Sequence, residues 1–81
     1  MRIKGKIQGQ DYDLSREEVE EKMRGVEPEP IRKYYVEING RKYPIKQVVA
    51  KCLGLDPIQF TSAYAYRILS RLGFKVKKIE S

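Results

Sequence analysis

The stretch Tyr34-Tyr35-Val36-Glu37-Ile38-Asn39-Gly40-Arg41-Lys42-Tyr43 decides how this chain folds. Tyrosine, valine and isoleucine give the run its strand propensity. Asn39-Gly40 is the dipeptide that a two-residue type I′ turn requires, because both central residues take positive φ. A hairpin over residues 33–43 follows. Its register sets Ile38 opposite Arg41, Glu37 opposite Lys42 and Val36 opposite Tyr43, pairing an acid with a base on one face and apolar residues on the other. Arg41 and Lys42 are thereby presented beside the tip.

Downstream, Pro44 suits the first turn of a helix over 44–53. Its Ile45, Val48, Val49, Cys52 and Leu53 repeat at i, i+3, i+4, i+7 and i+8, the spacing of a buried stripe. Lys46, Gln47 and Lys51 are left facing outward. With no activating base beside it, Cys52 reads as a core thiol. Gly54 closes this helix and Asp56-Pro57 turns the chain into a third helix over 61–72. Ala65, Ile68, Leu69 and Leu72 form its inner face, Ala63, Arg67, Ser70 and Arg71 its outer one, and Tyr64 and Tyr66 its two flanks. After Gly73, Phe74 and Val76 alternate with Lys75 and Lys77 in a strand over 74–79 that can join the hairpin sheet.

Upstream, Glu27-Pro28-Glu29-Pro30 cannot continue a helix and reads as a stiff connector. Before it, Ser15 as N-cap, Glu18 as capping-box partner and Leu14 with Val19 as hydrophobic staple start a helix over 16–24. Glu17, Glu18, Glu20 and Glu21 suit the dipole of that helix and would repel a phosphate backbone, so it faces away from an anion. Met1, Ile3 and Ile7 alternate with Arg2, Lys4 and Lys6 in a strand over 1–7 at a sheet edge, where lysines discourage further pairing. The fold class is α+β in one domain, 1–81. A small antiparallel sheet, the hairpin plus terminal strands, packs with three helices in a winged-helix-like variant whose hairpin precedes the helix pair.

Eighty-one residues bury one modest core and leave little room for an internal substrate pocket, so an interaction module is expected and not an enzyme. There is no histidine, and the single cysteine cannot form an internal disulfide, which closes zinc, Cys-His and Ser-His chemistry. No cofactor is expected. No stretch has the length and apolarity of a membrane span, and Met1 to Gln10 lacks the apolar centre of a signal peptide, so the expected location is cytoplasmic.

Charge is the functional signal. Residues 31–81 carry eleven of the seventeen Lys and Arg but three of the eleven acids, while the first thirty residues hold six basic and eight acidic side chains. Between Arg41 and Arg71 the only acid is Asp56, whereas a merely solvated face intersperses both signs. A polyanion is the partner such a segment fits, and the expected one is duplex DNA gripped through its phosphates. The candidate nucleic-acid-binding set is Arg41, Lys42, Lys46, Gln47 and Lys51, then Thr61, Ser62 and Tyr64 at the start of the third helix, and Arg67, Arg71 and Lys75. Arg67 and Arg71 stand one turn apart, about 6 Å along the axis, and can serve neighbouring phosphates. Lys77 and Lys78 add charge on the last strand.

One further pattern bears on the partner. Tyr35 to Val49, with Gly40-Arg41-Lys42-Tyr43-Pro44-Ile45-Lys46 at its centre, then Phe60-Thr61 and Leu72-Gly73-Phe74, resembles the N-terminal domain of McrA-type modification-dependent HNH restriction endonucleases. The resemblance covers about half of the chain. It implies an accessory module associated with DNA, with Lys42, Lys46 and Arg71 where the motif is basic. Cleavage belongs to a separate HNH domain in such enzymes, and no HNH segment is present here. Two alternatives stay open: RNA or single strands stacked on Tyr35, Tyr64 or Tyr66, and a protein partner, either acidic or pairing with an exposed sheet edge.

Overall fold

Asn39 and Gly40 take φ of 55° and 80°, the two positive values that close a type I′ hairpin. The computed structural model that gives these angles describes residues 2–79. Strands β3 (Tyr34–Ile38) and β4 (Arg41–Pro44) pair in the expected register, Ile38 with Arg41, Glu37 with Lys42 and Val36 with Tyr43. Val36, Ile38 and Tyr43 enter the core. Pro44 ends β4 and serves as N-cap of the following helix, one position earlier in its role than the first-turn placement expected of it.

A second hairpin lies at the N-terminal side. Strand β1 (Arg2–Ile7) pairs with β2 (Gln10–Ser15) through the turn Gln8-Gly9, with φ of 50° and 78°. The N-terminal strand was expected beside the central hairpin, and here the architecture differs. It forms a separate two-stranded sheet, while the central sheet has the order β4-β3-β5. The pairing has a clear cause: Lys4 faces Asp13 and Lys6 faces Asp11 across the strands, so the register that buries Ile3 and Leu14 also matches opposite charges. Met1, the first position of the expected strand, lies outside the described residues.

Helix α1 (Arg16–Lys22) opens on the full capping box, the Ser15 hydroxyl accepting from the Glu18 amide and the Glu18 carboxylate accepting from the Ser15 amide. It ends at Lys22 with Met23 as C-cap, two residues short of the expected Arg24. Val19 and Met23 are fully buried. Helix α2 (Ile45–Leu53) buries Ile45, Val48, Val49 and Cys52, and helix α3 (Ser62–Arg71) buries Ala65, Ile68 and Leu69, as their spacing requires. Between them Pro57–Gln59 make a 3₁₀ turn with its own capping box from Asp56 and Gln59. Strand β5 is only Lys77–Lys78, paired with Tyr35 and Tyr34. The strand expected over 74–79 is shortened because Phe74 turns into the core and is held there by the Phe74 amide donating to the Leu69 carbonyl.

Both sheets and all three helices supply one apolar cluster. Burying a side chain such as Leu14, Val48 or Leu69 stabilises the fold by about 1.5–3 kcal/mol each, against the entropy of ordering the chain.

Candidate nucleic-acid interface

The ion pairs fall almost wholly in the first thirty residues. Arg2 pairs with Asp13 and Glu18, Lys6 with Asp11, Arg16 with Glu20, and Arg24 with Glu21. Among the described residues, Arg41 is the only cation beyond Ile31 with a carboxylate in ion-pair range, at 3.8 Å from Glu27. Arg67 and Arg71 are exposed on α3 with no carboxylate in that range among the described residues. Each such surface pair adds at most about 1 kcal/mol, so their meaning is electrostatic: Asp11, Asp13, Glu18, Glu20 and Glu21 pair with cations of the first thirty residues, and among the described residues only Arg41 of the later cations is paired.

Three of these later lysines rest on aromatic rings. The Lys33 ammonium lies 5.4 Å from the Tyr34 ring centre, Lys42 5.5 Å from Tyr35, and Lys46 5.4 Å from Phe60. A ring face holds an ammonium in place by its quadrupole and leaves the full charge and the N–H donors available. Lys42 was expected to answer Glu37 across the hairpin. The register is as expected, but no ion pair forms among the described residues, and the lysine turns to Tyr35 instead.

Several residues in the expected set have structural duties. Arg41 donates to the Val26 carbonyl at 3.3 Å, and beside it Asn39 donates to the Glu20 carbonyl at 2.9 Å, so the hairpin tip is docked on the acidic helix and the connector. Gln47 accepts from the Glu29 amide at 2.9 Å and donates to the Glu27 carbonyl at 2.8 Å, which fastens the Glu-Pro-Glu-Pro segment to α2. Thr61 is the N-cap of α3, its hydroxyl accepting from the Tyr64 amide. Tyr64 donates its hydroxyl to the Lys6 carbonyl at 3.0 Å and lies 3.4 Å from the Tyr12 hydroxyl, tying α3 to the first hairpin.

What remains outward on α3 is Ser62, Ala63, Tyr66, Arg67, Ser70 and Arg71, a stripe of small residues and arginines with one exposed ring among them. Tyr66 stands edge-on to Tyr34, 5.5 Å between ring centres, and so links this stripe to the segment before β3. There Arg32 and Lys33 join Lys46, Tyr34 and Ser62 around a cleft of about 370 Å³. On the sheet, Lys42, Lys77 and Lys78 surround Tyr35 in a shallow groove. Lys51 and Lys75 are exposed. The structure gives neither of them a place in these two depressions.

Arg32 and Lys33 were not among the expected residues. Their signal is a dibasic pair directly before Tyr34-Tyr35, but the sequence reading takes Lys33 only as the first residue of the hairpin and gives Arg32 no role. Among the described residues, no group of three or more Cys, Asp or Glu gathers that could hold a metal ion. No helix among them is long and apolar enough to cross a membrane.

Comparison with known families identifies the chain's class. It belongs to the SCO5918-like family, whose model matches residues 3–81. A comparison with curated proteins and with solved structures finds no significant match.

Proposed function

We propose that this chain is a binding module for duplex DNA, gripping phosphates through the cations of residues 31–81 with α3 as the element nearest a groove. One observation carries the reading. Among the described residues the later Lys and Arg, Arg41 excepted, have no carboxylate in ion-pair range, and three of the lysines are seated on rings. A helix whose outward stripe is Ser62, Ala63, Tyr66, Arg67, Ser70 and Arg71 is narrow enough to approach base edges between flanking phosphate contacts. The resemblance to the DNA-associated domain of McrA-type endonucleases supports the same partner. In the winged-helix comparison the hairpin would be the wing, yet its tip is docked on α1, so the proposal places the DNA on α3 and on the cations around Tyr34 and Tyr35.

The module binds and does not cleave, and its place is the cytoplasm, on the nucleoid. Fluorescence anisotropy with duplex DNA over a salt series tests it: log affinity falls linearly with log salt, and replacing Arg67 and Arg71 together by Ala lowers the slope by about 2. An unchanged slope places the contact elsewhere. Tighter binding of RNA or single strands would move the reading to base stacking on exposed tyrosine.

The outer edges of β1 and β2 have no strand partner among the described residues, which favours a second reading as a protein-interaction module. Binding to an acidic protein with no retention on DNA or heparin would select it.

A further inference from the structure

We infer that the cleft between the Arg32-Lys33 segment and the first turn of α2 is a binding site for a phosphate group, resting on the DNA reading only for what carries that phosphate. The cleft, about 370 Å³, lies in the range of small-molecule sites, about 300–1,000 Å³, and is larger than a bare phosphate needs. It therefore has room for the sugar or base attached to one.

Its chemistry is convergent. Arg32 and Lys33 arrive from the chain before β3, and Lys46 from α2. None of the three has a carboxylate in ion-pair range among the described residues. Lys33 and Lys46 are held over Tyr34 and Phe60, so their positions are set without consuming their N–H donors. Arginine adds a planar fork that matches two phosphate oxygens. The first turn of α2, whose Ile45, Lys46 and Gln47 line the cleft, has no side-chain cap competing with a ligand for its amides.

Glu29 is the one acid on the rim. Its backbone amide is held by Gln47, so the rim is fixed. Ser62 at the start of α3 also lines the cleft, a hydroxyl donor that belongs to the outward stripe of that helix. A phosphate seated here would be gripped by charge-assisted bonds from two segments and could present its carrier to Tyr34 and Tyr66.

The test is a nitrogen–proton NMR titration of the full chain with inorganic phosphate, then with a nucleoside 5′-monophosphate, and anisotropy with duplexes bearing a 5′-phosphate or a 5′-hydroxyl. Phosphate is expected to shift the amides of Lys46, Gln47 and Ser62. Lys46→Gln or Arg32→Ala weakens this binding by about tenfold or more, the loss of a charge-assisted bond. Arg32 is exposed, so Arg32→Ala serves should Lys46→Gln not fold. A duplex preferred for its 5′-phosphate identifies a strand end as the carrier. Equal weakening of both duplexes by the variants identifies an internal backbone phosphate, and tight binding of the mononucleotide alone a free nucleotide. Phosphate shifts that survive both variants, or that spread evenly over the surface, overturn the site. If neither phosphate nor the mononucleotide shifts those amides while DNA affinity depends on Arg67 and Arg71, the cleft fails and the DNA reading stands. Phosphate binding without DNA binding gives the reverse.

Discussion

Tyr12 lays its ring across Gly5, the residue directly opposite it in the first hairpin. A Cβ at position 5 would come within 2.5 Å of the Tyr12 hydroxyl oxygen. The ring takes this position because its hydroxyl meets that of Tyr64 on α3, so the glycine is what lets the hairpin dock on the helix. Gly5→Ala is therefore expected to destabilise the chain by about 1–3 kcal/mol through overpacking. Thermal unfolding checks it, and a melting temperature unchanged from wild type would show that Tyr12 moves aside freely.

Burial first, and then the hydrogen bond and charge of Tyr64, push the Tyr12 phenol from 10 up to about 12, with Arg71 opposing the rise. The unfolded chain gives up this proton near pH 10 while the folded one keeps it. Above pH 10 the folded state thus binds more protons, and stability falls as pH rises from 10 to about 12. Urea midpoints across that window should fall less steeply in Tyr12→Phe than in wild type, since the lysines titrate in both. Parallel curves would refute the assignment.

Gln47 should matter to the connector before it matters to any ligand. Gln47→Ala removes both bonds to the Glu27–Glu29 backbone and is expected to cost about 1–2 kcal/mol. Limited trypsin digestion should then cut faster at Arg24, Arg32 and Lys33. Gln47→Glu keeps an acceptor for the Glu29 amide but no donor for the Glu27 carbonyl, and should fall between the two.

Cys52 is predicted to be inert while the chain is folded. Burial pushes its thiol up to about 11, Lys22 pulling the other way and Glu18 adding to the rise. At pH 8 a thiol reagent should modify it at least about a hundredfold more slowly than in urea, because the thiolate is the reactive form. Comparable rates would mean that the core opens readily around α2.

The central hairpin was legible because Asn39-Gly40 satisfies a backbone requirement that few dipeptides meet, and α1 because Ser15 and Glu18 form a reciprocal pair visible in the sequence. Both signals are local. The first hairpin was not read: Gln8 is an unusual residue for positive φ, and Gln10, Asp11 and Asp13 look like loop. Yet Lys4 and Lys6 mirror Asp13 and Asp11 about Gln8-Gly9, and that charge symmetry was the usable sign. At the candidate interface, sequence could show that cations outnumber acids late in the chain. It could not show which of them the fold would employ. Arg41, Gln47, Thr61 and Tyr64 are tied to backbone atoms, and except for the Thr61 cap the partner is fifteen or more positions away. Arg32 and Lys33 owe their place in the cleft to where Tyr34 and α2 meet.

Arg16 reaches across fifty-seven positions to donate to the Gly73 carbonyl at 2.9 Å and covers the Phe74 ring 4.4 Å from its centre. A ribosome makes these partners fifty-seven residues apart. Each hairpin can close as soon as its own two strands emerge, but the contacts of Arg16 wait until Gly73 and Phe74 have been added. Closing the first helix against the end of the third is therefore a non-local, late step of folding.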